Sequence, residues 1–266
     1  MLDASLPQVV QGEHPSRISR DHWLAGVLAV ALAVFYLLAQ SWSQELLALS
    51  TDILVIAITG ACSLLGLLVV RKWGFRGKFG VVHFGLFLAV FLWFLGMTVW
   101  GIYEVVLHVD VPYPSIADVF YLAGYLPAFL GMGQFLWFFR KALTPGKLAV
   151  AALSGLAIVF TISVVLLYPL MTESADILTK FFDVAYPLLD TLLIVFALMM
   201  AVVLRKSRFA NDWLWIALGL LLWGAGDIAF CYGTLMGWYY SGHPIGLFWL
   251  YACLALGLGF AHQRRN

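Results

Sequence analysis

Long apolar stretches alternate along the chain with short polar ones. Eight of them approach or exceed the roughly 20 residues a helix needs to cross a bilayer. They are Trp23–Gln40, Ile53–Val70, Val81–Leu107, Ser115–Phe139, Leu148–Leu170, Phe181–Leu204, Trp213–Met236 and Ile245–His262. The first is preceded by a polar lead and lacks a short apolar core followed by a small-residue cleavage site. It reads as a retained helix, not a signal peptide. Residues 1–22 carry Pro7, Gly12 and Pro15 among mixed polar side chains and read as a loose tail. The pattern predicts an all-α, polytopic membrane helix bundle. Its tail spans residues 1–22, its integral domain 23–262, and a short end 263–266.

Composition narrows the class. Hydrophobic residues make up 63% and charged residues 11%, against about 45–50% and about 25% in soluble domains. Mean hydropathy is +0.95. A soluble globule of this size cannot hide so much apolar surface, so lipid must cover it. The bilayer is therefore the first partner. The same figures exclude disorder, a collagenous chain and a disulfide scaffold. A net charge of +1 gives no reason to expect nucleic acid. Cys62, Cys231 and Cys253 lie inside spans without CxxC spacing, and read as small buried hydrophobes.

The basic residues set an orientation. Arg17, Arg20, Arg71, Lys72, Arg76, Lys78, Arg140, Lys141, Lys147, Arg205, Lys206, Arg208, Arg264 and Arg265 fall on one side of an eight-span chain. Of the 15 basic residues, only Lys180 falls on the other. By the positive-inside rule both termini are expected in the cytoplasm.

An internal repeat is suggested by W-G-x-x-acid, at Trp100-Gly101-Ile102-Tyr103-Glu104 and again at Trp223-Gly224-Ala225-Gly226-Asp227. An aromatic, proline-bearing loop follows each copy. Spans two and six are both followed by Arg-Lys. The expectation is a duplicated four-helix unit in parallel orientation, with repeats over about 23–141 and 147–262. It places Glu104 and Asp227 at equivalent heights.

Ionisable groups inside spans are costly, and mark either function or pairing. Glu104, Asp118, Asp183, Asp190 and Asp227 lie in or at the ends of spans, all in the half away from the basic side. At about 1.5 Å per residue, Asp227 stands roughly 21 Å above the basic end and Asp190 roughly 15 Å below the other. Helical spacing puts Glu104 with His108, Asp118 with Tyr121 and Tyr125, and Asp183 with Tyr186 and Asp190. Pro187 is expected to kink span six beside Asp190 and admit a ligand or water there, and Pro127 does the same in span four. Gly219, Gly226 and Gly233 give span seven a face that a neighbour can approach closely. Asp190, Asp227 and Tyr186 are expected in one cluster, with Glu104 in the matching place of the first repeat. Acids at such depth are expected to share a proton or a bound cation. The ligand-binding candidates are Glu104, Asp118, Tyr121, Tyr125, Tyr186, Asp190, Trp223 and Asp227. The competing reading makes the acids polar glue between helices, with Asp118 a helix cap.

No catalytic residue is assigned, and the chain is not expected to be an enzyme. It has no HExxH, P-loop, nucleophile elbow or dinucleotide fingerprint. Glu104, His108, Asp110 and His243 are a weak metal set, and none is assigned. His83 reads as a packed or interfacial residue before it reads as a haem ligand. Lys180, at a helix end, does not suit retinal. No cofactor is identified.

The segments Tyr113–Tyr125 (YPSIADVFYLAGY), Ala185–Asp190 (AYPLLD), Gly226–Phe230 (GDIAF), Gly242–Pro244 and Leu247–Trp249 resemble the multi-span N-terminal sensory regions of bacterial membrane signalling proteins. In that group the spans precede diguanylate cyclase (GGDEF), phosphodiesterase (EAL) or histidine-kinase output domains. The resemblance covers residues 50–262. It implies an input module in the cell (inner) membrane whose partner is a cytoplasmic signalling protein or output domain. A homodimer is compatible with the class. The sequence departs in lacking an acid after Pro244. It also stops at Asn266, just past span eight, which leaves a stand-alone member, a partner for a separate protein, or a fragment. The leading expectation is a sensor or receptor-like module with a polar pocket in the outer half of the membrane. A small transporter or proton-coupled carrier is the alternative, and an intramembrane metal or haem protein or enzyme the third.

Overall fold

The computed structural model describes residues 20–75, 79–172, 176–204 and 210–265. Among them all regular structure is helical: α1 (Arg20–Ala39), α2 (Gln44–Trp73), α3 (Gly80–Gly101), α4 (Ile116–Phe138), α5 (Pro145–Ile162), α6 (Tyr168–Thr172), α7 (Ile177–Leu204), α8 (Ala210–Leu235) and α9 (Gly246–Arg265). A π-helical turn over Ile102–Val106 extends α3, and another over Ser163–Leu167 joins α5 to α6. Eight of the resulting rods are long and apolar enough to cross a membrane. The protein is thus an all-α polytopic membrane bundle. In hydrocarbon each backbone amide must find its partner within its own segment, and helices do so.

Helix starts carry local signals. Ser43 accepts from the Leu46 N–H at 3.4 Å, and Thr144 caps α5 ahead of Pro145. Ser115 and Asp118 form a capping box on α4. At the close of α2, Gly74 takes φ +68°, a conformation that disfavours side chains. α2 begins at Gln44, two and a half turns before the apolar stretch assigned to span two, so Asp52 lies within a helix.

Six helices close a ring in the order α2, α3, α4, α7, α8, α9 and back to α2. α1 packs outside on α9 and α5 outside on α7. Leu28, Val30, Leu37, Leu153, Leu156 and Phe160 on these outer helices are exposed, as lipid-facing side chains should be. Close approach within the ring relies on small residues. A Cβ on Gly131 of α4 would sit 3.0 Å from the Val82 carbonyl of α3, and one on Gly219 of α8 would sit 2.7 Å from the Ala252 carbonyl of α9.

Across the ring's middle, Trp93 of α3 stacks on Trp223 of α8, with centroids 4.4 Å apart and planes 18° from parallel. Between this pair and the end at which α1 begins and α9 ends, Leu86, Met132, Phe135, Leu220, Leu256 and Phe260 fill the ring. That end also carries the described cations Arg20, Arg71, Lys72, Arg140, Lys141, Lys147, Arg264 and Arg265; Arg17, Arg76, Lys78, Arg205, Lys206 and Arg208 lie outside the described residues, as do residues 1–19 of the tail and Asn266. Arg265 pairs with Asp21, His262 Nδ1 lies 3.3 Å from Asp212, and Lys72 donates to the Arg264 carbonyl at 2.7 Å. The structure thereby ties α1, α2 and α8 to the C-terminal turn of α9. His83 bonds Gln263 through Nε2, and its ring is enclosed by Trp73, Phe79 and Trp213, the last stacked at 5.6 Å.

Candidate functional site

Beyond the tryptophan pair, toward the end opposite the start of α1 and the close of α9, the ring opens into a cavity of about 640 Å³. Trp93 and Trp223 form its floor. Asp52 and Glu104 stand on its α2–α3 side, and Asp118, Asp183 and Asp227 on its α4–α7–α8 side. The segment between α8 and α9 lies over the mouth. It is held there by Gln44 Nε2 on the Ser241 carbonyl (2.8 Å), Gln40 Nε2 on the Gly242 carbonyl (3.1 Å) and the Tyr240 hydroxyl on Gln40 Oε1 (2.6 Å).

On one wall, the polar stripe of α7 meets α4 and its leading loop through three tyrosine–aspartate bonds. Tyr113 donates to Asp183 Oδ1 at 2.8 Å, Tyr186 to Asp118 Oδ1 at 2.7 Å, and Tyr125 to Asp190 Oδ1 at 2.5 Å. The residue types alternate between the two sides, so each carboxylate faces a donor where the two halves of the ring join. Asp118 is doubly used, because its Oδ2 also accepts from the Ser115 N–H at 2.6 Å and the Ser115 hydroxyl at 3.0 Å. Asp227 accepts from Trp249 Nε1 at 2.6 Å, and its Oδ2 is 3.4 Å from the Tyr125 hydroxyl. That hydroxyl has a single proton, and the shorter contact, to Asp190, claims it.

On the opposite wall, the π-helical turn presents Glu104, whose Oε1 accepts from the Ser241 hydroxyl at 2.5 Å. Asp52 of α2 faces Glu104. Asp52 Oδ2 and Glu104 Oε2 are both buried without a hydrogen-bond donor.

The structure brings the eight candidate residues to one place, with changes of role. Trp223 is floor. Tyr121 donates to Met97 Sδ at 3.3 Å instead of to an acid. Tyr186 is not the partner of Asp190 and Asp227. Its hydroxyl reaches Asp118, and Tyr125, one turn past Tyr121 on α4, takes the place foreseen for it. Asp190 is fully buried behind the cavity wall, and α4 and α7 continue as helices through Pro127 and Pro187, so no opening forms beside Asp190. Glu104 and Asp227 do not share a height. Glu104 lies two residues from the end of its turn at Val106 and Asp227 eight from the end of α8 at Leu235, which sets Asp227 roughly 9 Å deeper. Trp223 meets Trp93, while Trp100, its counterpart in the motif, meets Phe230. Nor do Glu104 and His108 share a helical face, because the helix has ended and His108 takes φ +52°. Among the described residues no group of three or more His, Cys, Asp or Glu is placed to hold a metal.

Asp52 is the functional candidate that sequence reading missed. Its signal was the spacing Asp52, Thr59, Ser63, seven then four residues, a polar stripe within an apolar run. Thr59 and Ser63 are buried, so the stripe faces inward.

Comparison with protein-family models, curated proteins and solved structures returns no match.

Proposed function

We propose that the protein is a receptor-like membrane module that takes a small ligand into this cavity and passes the event to a cytoplasmic partner. The carrying observation is a cavity open at one end and closed beneath by the Trp93–Trp223 stack and a packed core. Its volume suits a small molecule, and a few polar groups converge among aromatic walls. The resemblance of Tyr113–Tyr125 and Ala185–Asp190 to bacterial sensory regions agrees with this reading. The transmitting element is α9. Trp249 near its start holds Asp227 in the cavity, and its last turn holds the ionic network with Asp21 and Asp212. A rigid helix joins the two, so a shift at Trp249 moves His262 and Arg265.

The test uses protein in nanodiscs and a broad small-molecule library. Ligands are expected to raise the melting temperature of the wild type by several degrees. Thr234 lines the mouth, and Thr234→Trp, which narrows it, is expected to remove the shift. Equal shifts in both proteins place binding elsewhere and sink the reading. A fluorophore on Arg265→Cys, with Cys62, Cys231 and Cys253 replaced by alanine, reports transmission. Proteoliposome uptake of the same ligand, with no change at that fluorophore, assigns the chain to the carriers instead.

A further inference from the structure

We propose that the cavity takes an organic cation, an amine or quaternary ammonium group on a small apolar body, with the charge seated at the Asp52–Glu104 pair. The proposal rests on the ligand-binding reading above and names the class of its ligand.

The charge balance of the wall is one-sided. Asp52, Glu104, Asp110, Asp118, Asp183 and Asp227 line the cavity, and among the described residues no lysine or arginine does. The histidine there is His243. Burial lowers its pKa below the ordinary value, and its Nδ1 accepts from the Ile245 N–H at 3.1 Å, as a neutral imidazole does, so it supplies no cation at pH 7.

The carboxylates divide by what satisfies them. Asp118, Asp183 and Asp227 have tyrosine or tryptophan donors. Asp52 and Glu104 face each other instead, and their Oδ2 and Oε2 are buried with no donor from another described residue. Fully buried Asp190 likewise leaves Oδ2 without a donor behind the same wall. Buried carboxylate oxygens without partners are costly, and a cation between two of them offsets that cost.

The remaining wall selects which cation. Tyr36, Trp100, Tyr239, Tyr240 and Trp249 line the cavity with Asp52 and Glu104. Burial, and then the neighbouring Glu104, Tyr36 and Asp52, push the Tyr239 phenol far above its ordinary pKa, so it stays neutral and offers its ring. Aromatic faces attract weakly hydrated organic cations, tryptophan most strongly. A hard metal ion wants a shell of six or more oxygens, and no three-ligand group is assembled among the described residues. The cavity of about 640 Å³ leaves room for an apolar body beyond the charged head.

The test compares three probes of one shape on the wild type in nanodiscs: choline, its neutral isostere 3,3-dimethylbutan-1-ol, and the anion 3,3-dimethylbutanoate. Intrinsic tryptophan emission and melting temperature are the readouts. Choline is expected to bind saturably and at least tenfold more tightly than the alcohol, with no binding of the anion. Asp52→Asn with Glu104→Gln is expected to weaken choline at least tenfold, while Glu45→Gln, an exposed acid outside the cavity lining, leaves it unchanged. The ratio of cation to isostere is measured on unaltered protein, so it decides even if the double variant fails to fold. Binding of the alcohol or the anion as tightly as choline, lost in Thr234→Trp, overturns the cation while the ligand cavity stands. No binding by any of the three overturns the proposal. The ligand cavity falls with it only if the broad library is silent too. A choline effect unchanged in a folded double variant also overturns the proposal, because the charge is then held elsewhere.

Discussion

At the scale of single residues, the in-membrane acids turn out to have two different lives. Asp118, Asp183 and Asp190 are held by tyrosine hydroxyls across the α4–α7 seam, which is the glue reading of the sequence. Glu104 and Asp52 retain unsatisfied oxygens at a cavity, which is the functional reading. The ladder makes a graded prediction. Tyr125→Phe removes the tyrosine donor of fully buried Asp190 Oδ1 and is expected to destabilise the protein by about 1–3 kcal/mol, the cost of stranding a buried acceptor. Tyr113 is half exposed, so its carboxylate partner can turn to water, and Tyr113→Phe should stay within about 0.5 kcal/mol. Unfolding in mixed micelles of increasing denaturing-detergent fraction measures both. Equal effects would mean that the ladder is incidental to folding. The acids were visible in the sequence because a charge inside an apolar run stands out. Their partners were not. Helical spacing put Tyr186 and Asp190 on one face, but which tyrosine reaches which acid depends on the vertical offset of α4 against α7, and that offset is a tertiary quantity.

At the scale of helices, the apolar runs located eight spans, with edges off by a few residues where polar helical turns continue past the lipid. The large miss is α2. Gln44 and Glu45 lower the hydropathy of its first turns, yet Ser43 caps it and Gly242 of the overlying segment packs against Leu47, so the helix starts early and carries Asp52 inward. The W-G-x-x-acid motif suggested an alignment of α3 with α8 that the Trp93–Trp223 stack does not follow, because sequence similarity between helices leaves their axial register free by whole turns. The duplication predicts a like order of neighbours, and α2–α3–α4 and α7–α8–α9 do pack in like order, although α1 and α5 attach to non-equivalent helices. Small-residue packing gives the test at this scale. A Cβ on Gly219 would stand 2.6 Å from Leu256 Cγ and 2.7 Å from the Ala252 carbonyl, so Gly219→Ala must part α8 from α9 and is expected to cost about 1–3 kcal/mol. Gly133, inside α4, has nothing within 4 Å of that position, and Gly133→Ala should be neutral or stabilising by up to about 1 kcal/mol from helix propensity. The same micelle unfolding separates them. A harmless Gly219→Ala would show that the α8–α9 contact is looser than described.

At the scale of the whole molecule, function depends on which way the cavity faces, and three features bear on it together. The cations Arg71, Lys72, Arg140, Lys141, Lys147, Arg264 and Arg265 share the end at which α1 begins and α9 ends. The unsatisfied acids share the other. Between them the ring is packed with apolar side chains from Trp93 and Trp223 down to Phe135 and Phe260. From the positive-inside rule we propose the basic end in the cytoplasm, with the cavity facing outward and α9 the proposed route inward. The prediction uses single cysteines in a chain whose native cysteines are alanine. Ser41→Cys and Asp110→Cys, in turns at the cavity end, should react with a membrane-impermeant maleimide added outside intact cells. Lys141→Cys, in the turn after α4, should react only after the cells are opened. Asp110 lines the cavity, so its labelling should also slow when a cavity ligand is present, whereas Ser41→Cys should label at an unchanged rate. Labelling of Lys141→Cys from outside, with Ser41→Cys protected, would invert the molecule. The cavity would then sample cytoplasmic solutes, and the basic end, with no cavity behind it, could not be the output face.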